Sequence, residues 1–85
     1  MRSGREAVAA AAIGDMLRRL RVEARMSQET LAQRAGLDTG SYGRIERGEL
    51  CPRVFTLVCL ADALGVRAAQ LLDTVPRARD DHPPR

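Results

Sequence analysis

The 85-residue sequence has no tryptophan and no lysine, one tyrosine, one phenylalanine, one histidine and two cysteines. Each shortage removes a class of protein. With aromatics at 2% and apolar residues at 45%, a core has to be assembled from Leu, Ile, Val and Ala, as in a small helical bundle of one domain. Cys51 and Cys59 have neither metal-ligand nor redox-pair spacing, and no set of His, Cys and carboxylates has ligand spacing either, so no metal and no cofactor is expected. His82 stands in a proline-rich tail, away from any Ser/His/Asp or Cys/His grouping. No catalytic residue can be assigned, and an enzyme is not expected. No apolar run reaches the length of a membrane span or a signal peptide, so the chain is expected in the reducing cytoplasm, with no membrane partner. There Cys59, at an apolar helical position, reads as a small core residue and Cys51 as a loop thiol.

What the chain does have is arginine. All fourteen basic residues are Arg, for a formal net charge of +3 and a pI near 9.6. That mild excess points toward a polyanionic partner, and guanidinium is the better fork for phosphate oxygens and guanine edges. A GC-rich genome, which also favours Ala, would leave the same usage.

The remaining sequence reads as a succession of short amphipathic helices. Ser3-Gly4-Arg5-Glu6 has capping-box spacing, and a first helix is expected from there to about Arg25. Its apolar stripe is Ile13, Leu17, Leu20 and Ala24, with Arg18, Arg19 and Glu23 pointing away. Ser27 and Gly36 bracket a second helix from Gln28 to Ala35, with Leu31, Ala32 and Ala35 inward. Asp38 caps a third, from Thr39 to about Arg47, stopped by Gly48. Pro52 opens a fourth, about Val54 to Leu64, with Leu57, Leu60, Ala61 and Leu64 as its stripe and Gly65 at its end. A fifth runs from about Ala68 to Asp73 and carries Leu71 and Leu72, without a strong cap near Arg67. Residues 1–12 are an N-terminal extension that continues the first helix, residues 13–75 the folded domain, and residues 76–85 a flexible polar tail. Two short helices joined as tightly as the second and third must cross steeply, which is helix-turn-helix geometry.

The stretch GLDTGSYGRIERG, residues 36–48, is where stability is least served, since each interior Gly costs about 1 kcal/mol against Ala. Tyr42 and Ile45 join Leu37 on its inner side, leaving Thr39, Gly40, Gly43, Arg44 and Arg47 outward and Ser41 at the margin. Small residues early and cations late suit a helix whose first turn enters the DNA major groove. Alternatively, Gly40 and Gly43 give clearance to a neighbouring segment of the protein.

From Ile13 to Leu72 the chain resembles the lambda-repressor-like, Cro/XRE-type helix-turn-helix family, which includes phage repressors, Cro proteins and restriction-modification controller proteins. The carrying stretches are IGDMLRRLRVEARMSQETLAQRAG, GLDTGSYGRIERG and TLVCLADALGV followed by QLL. The resemblance implies an all-α, five-helix domain and a sequence-specific DNA-binding transcriptional regulator. It would act as a repressor, a homodimer on a pseudo-palindromic stretch of double-stranded DNA at the nucleoid. Thr39, Gly40, Ser41 and Arg44 fall at the family's base-reading positions. Gln28 matches its glutamine that contacts phosphate and buttresses the recognition helix, and Ser27, Gly43, Arg47 and Arg53 join it as expected phosphate contacts. Arg21 and Glu46 match a recurrent buried ion pair, which is plausible physically because both fall beside apolar stripes. Glu46 as a solvated helix-end acid and Arg53 as a free surface charge are the plainer readings.

Two residues depart from the pattern: Gly40 has no side chain with which to read a base, and Glu49 puts a negative charge near the DNA backbone. Leu50, Val66, Val75 and Val8 are candidate dimer contacts. No small-molecule substrate is evident. The alternative function is the same fold used as a protein-interaction adaptor or antitoxin.

Overall fold

Capping chemistry sets the helix boundaries. The computed structural model describes residues 3–77, and these form five helices: α1 Gly4–Glu23, α2 Gln28–Ala35, α3 Thr39–Glu46, α4 Val54–Leu64 and α5 Ala68–Leu72. The Oγ of Ser3 accepts from the Glu6 amide at 3.1 Å, that of Ser27 from Thr30 at 3.0 Å, and Asp38 Oδ1 from Ser41 at 2.8 Å. Gly36 and Gly65 close α2 and α4 in the left-handed region, at φ +77° and +72°, where a Cβ is disfavoured. The expected tail beyond Arg77, including His82, lies outside the described residues.

Several boundaries differ from expectation. α1 stops at Glu23 because Ala24 caps it and Arg25 takes φ +58° to turn the chain. Ala24 is therefore exposed rather than part of the core stripe. α3 ends at Glu46 with Arg47 as its cap, and α5 at Leu72 with Asp73 as its cap.

The core collects Ile13 and Leu17 of α1, Leu31, Ala32 and Ala35 of α2, Tyr42 and Ile45 of α3, Leu57, Leu60 and Ala61 of α4, and Leu71 of α5. Leu50, Val66 and Val75, expected as dimer contacts, instead pack against this core. They fill gaps between elements, as partly buried aliphatics in short connections do in small domains. Val8 is exposed.

One close approach governs how α3 sits. Gly14 is buried, and a Cβ there would lie 2.5 Å from both the Ile45 and the Glu46 carbonyl oxygens. The backbones of α1 and α3 can meet only because this position carries no side chain. Gly48, at φ +78°, abuts α1 as well, since a Cβ on it would lie 3.1 Å from Ala11 Cα. Thus α3 is braced against α1 at its C-terminal end, and its N-terminal turn is left toward solvent.

Candidate nucleic-acid interface

α3 has two unlike sides. Tyr42, Ile45 and Glu46 are buried, whereas Thr39, Gly40, Arg44 and Arg47 are exposed. A side chain on Gly40 would meet only Asp38 Oδ1, at 3.3 Å. The first turn of α3 therefore presents bare backbone beside the Thr39 hydroxyl. Among the described residues Arg44 has no hydrogen-bonding or ion-pair partner for its guanidinium.

The inner side is held by one carboxylate. Arg21 forks onto Glu46, Nε donating to Oε2 at 2.8 Å and Nη2 to Oε1 at 2.9 Å. Gln28 Nε2 donates to Oε1 at 3.0 Å, and the Tyr42 hydroxyl donates to Oε2. The remaining Arg21 nitrogen, Nη1, donates to the Met26 carbonyl at 2.9 Å, in the turn between α1 and α2. Glu46 thus ties α1, α2 and α3 together. Its side chain is 4% exposed and that of Arg21 14%, so the solvated-acid reading of Glu46 does not hold. Burial alone would raise the Glu46 carboxyl, but hydrogen bonds from Arg21, Tyr42 and Gln28, with the Arg21 charge, outweigh it and hold the pKa at about 2. Burial, with the bond to Glu46, pushes the Tyr42 phenol well above its ordinary range.

The other expected site residues fall into two groups. Thr39, Gly40 and Arg44 share the open side of α3, with Arg47 beyond them and Arg53 exposed at the start of α4. Ser27 and Ser41 spend their hydroxyl protons within the protein, donating to Thr30 Oγ1 at 2.9 Å and to Asp38 Oδ2 at 2.8 Å. To donate to a base or phosphate, both must first give up these side-chain bonds, while the capping bonds from the Thr30 and Ser41 amides can remain.

Gly43 differs outright from its expected outward position. It is buried, because a Cβ there would lie 3.1 Å from Arg47 Nη1 and 3.7 Å from Gln28 Oε1. The ends of those two side chains cover it, so Gly43 is not on the open side of α3. Sequence reasoning assigned Tyr42 to the core alone and missed its share in the carboxylate network. The Tyr42–Glu46 spacing of four on one helix was the available signal. It also missed Gly14, for which helical periodicity offered none.

A short helix crossing the next, its outer side open and its inner side anchored to the domain, defines a helix-turn-helix DNA-binding domain. The helix-turn-helix family matches residues 17–71, and the chain belongs to that family, in its Cro/XRE-type branch. It is 38% identical over 60 residues to the uncharacterized HTH-type transcriptional regulator y4dJ of Sinorhizobium fredii, covering 71% of this chain and 78% of that protein. It is similar in structure to the restriction-modification controller protein C.AhdI of Aeromonas hydrophila, with TM-score 0.71, 37% identity, and 73% of this chain and 94% of that one covered. The hypothetical transcription factor NHTF from Neisseria gives TM-score 0.75 at 33% identity, over 88% of this chain and 82% of the other. The fold is that of lambda-repressor-like regulators, and the coarse function is that of a transcriptional regulator with a helix-turn-helix DNA-binding domain.

Proposed function

We propose that the chain is a sequence-specific repressor that binds a pseudo-palindromic operator as a homodimer, with the first turn of α3 in the major groove. The observation that carries this reading is the two-sidedness of α3: Thr39, Gly40 and Arg44 are exposed and uncommitted, while Glu46 and Tyr42 behind them are locked to α1 and α2. Arg44 forks onto a guanine edge, Gly40 lets the backbone come close, and Thr39 contacts a base or phosphate. Gln28, Arg47 and Arg53 contact phosphates and set the register of the helix on the duplex.

A single module of this size covers only about 600–1,000 Å² of DNA interface, so specificity calls for two. The surface available to a second copy is the outer side of α4, where Val54 and Phe55 are 77% and 73% exposed, with Val58 beside them at 47%. Arg53 and the exposed Asp62 flank these residues at opposite ends. Two α4 helices laid antiparallel bury Phe55 and its two valine neighbours on each copy. This face replaces the expected contacts through Leu50, Val66 and Val75.

Selection of bound sites from random duplex DNA tests the reading. The expected result is a symmetric motif with half-sites roughly 34 Å apart. Recovery of no motif overturns it. Arg44→Ala is expected to lower operator affinity by about 1–3 kcal/mol and relax preference at one base position per half-site. An equal loss on random DNA makes Arg44 a phosphate contact only. The exposed α4 face equally suits the adaptor or antitoxin reading. A salt titration separates the two: DNA binding weakens by orders of magnitude between 50 and 200 mM salt, roughly in proportion to the phosphates contacted, and apolar protein docking hardly responds.

A further inference from the structure

The C-terminal end of α3 carries a contact that works against DNA binding. Gly48 and Glu49 form a closing turn in which the Gly48 amide donates to the Ile45 carbonyl at 3.0 Å and the Glu49 amide to the Arg44 carbonyl at 2.8 Å. With Gly48 at φ +78° and against Ala11, the backbone of Glu49 has one place to go relative to α3. From there its carboxylate reaches back along the helix to Arg47: Nε donates to Oε2 at 2.8 Å and Nη2 to Oε1 at 3.4 Å. The guanidinium lies folded over Gly43, where a Cβ would stand 3.1 Å from Nη1. The field of Arg44 also reaches this carboxylate, adding to the hydrogen bond and charge of Arg47 in lowering its pKa.

A carboxylate gripped by a guanidinium fork occupies the geometry that a phosphate takes at the same fork. Resting on the DNA-binding reading above, we propose that Glu49 is an autoinhibitory residue, an internal surrogate phosphate that competes with the duplex for Arg47 and lowers affinity for DNA of any sequence. The pair is exposed on both sides, at 56% and 52%, so it adds little to stability and exchanges readily. Arg47 is placed as a phosphate contact, so holding it weakens operator and random duplex by about the same factor. The result is a lower and less salt-sensitive affinity for any duplex.

The test compares wild type, Glu49→Gln, Arg47→Ala and the double variant on random-sequence duplex and on the selected operator across 50–200 mM salt. Glu49→Gln is expected to tighten random-duplex binding about tenfold at low salt and to steepen the log–log salt slope by about 0.9, with a comparable gain on the operator. In the Arg47→Ala background the same substitution is expected to change random-duplex affinity by less than about twofold. Without DNA, the Arg47 Nε–H resonance of the wild type is expected to differ in chemical shift from that of Glu49→Gln. An equal gain in both backgrounds reduces Glu49 to general repulsion and overturns the proposal, as does an Arg47 Nε–H shift that Glu49→Gln leaves unchanged. Wild type binding DNA with Glu49→Gln unchanged sinks the proposal alone. No duplex binding by either protein sinks the DNA reading together with it.

Discussion

Glu46 is where most of the interface's geometry is decided by one side chain. Four donor groups from three helices converge on its two oxygens, and removing its charge leaves Arg21 buried and unmatched. Glu46→Gln is expected to cost about 3 kcal/mol or more at neutral pH, read as a lower urea midpoint. Because the folded pKa of about 2 lies below the ordinary 4.5, the carboxylate's contribution is fully present above about pH 5 and is lost as pH falls toward 2. Denaturation midpoints across pH 2–7 check this: wild type should fall through that window and Glu46→Gln should vary less. Gly43 gives the opposite sign. The near neighbours of an added Cβ are the flexible ends of Arg47 and Gln28, so Gly43→Ala is expected to gain up to about 1 kcal/mol of helix propensity. A differential melting scan should show a rise of several degrees.

At the scale of elements, the close contact of α1 with α3 depends on Gly14. An added methyl would run into the Ile45 and Glu46 carbonyls, and backbone there cannot step aside as a side-chain tip can. Gly14→Ala is expected to destabilise by about 1–3 kcal/mol or more and to shift α3 off α1, visible as changed NMR shifts across residues 39–46. The five helices themselves were legible in the sequence because each carries local signals: Ser3, Ser27 and Asp38 as caps, Gly36 and Gly65 as stops, and stripes such as Leu57–Leu60–Leu64. The Arg21–Glu46 pairing came only from family resemblance. Composition and spacing could not place two residues twenty-five apart within bonding distance. Gly43 was misplaced because a helical wheel marks which way a position points and not how far a neighbouring Arg47 folds back. Leu50, Val66 and Val75 went astray for a related reason: they lie outside the regular helices, where periodicity says nothing about burial.

For the whole molecule, the exposed valines and Phe55 lie on α4 whereas Thr39, Gly40 and Arg44 lie on α3, so assembly and DNA contact can be probed by separate substitutions. Phe55→Glu is expected to leave the fold intact, shift sedimentation to the monomer, and weaken operator binding far more than binding to an isolated half-site. Sedimentation that is monomeric already in wild type removes α4 as the dimer face. The outward residues Thr39, Gly40 and Arg44 take no part in the hydrogen bonds that hold α3 to the domain. Amino acids at those positions can therefore be exchanged with little penalty in folding, and such a scaffold is free to drift from one target site to another, generation by generation, on a frame that does not have to be rebuilt.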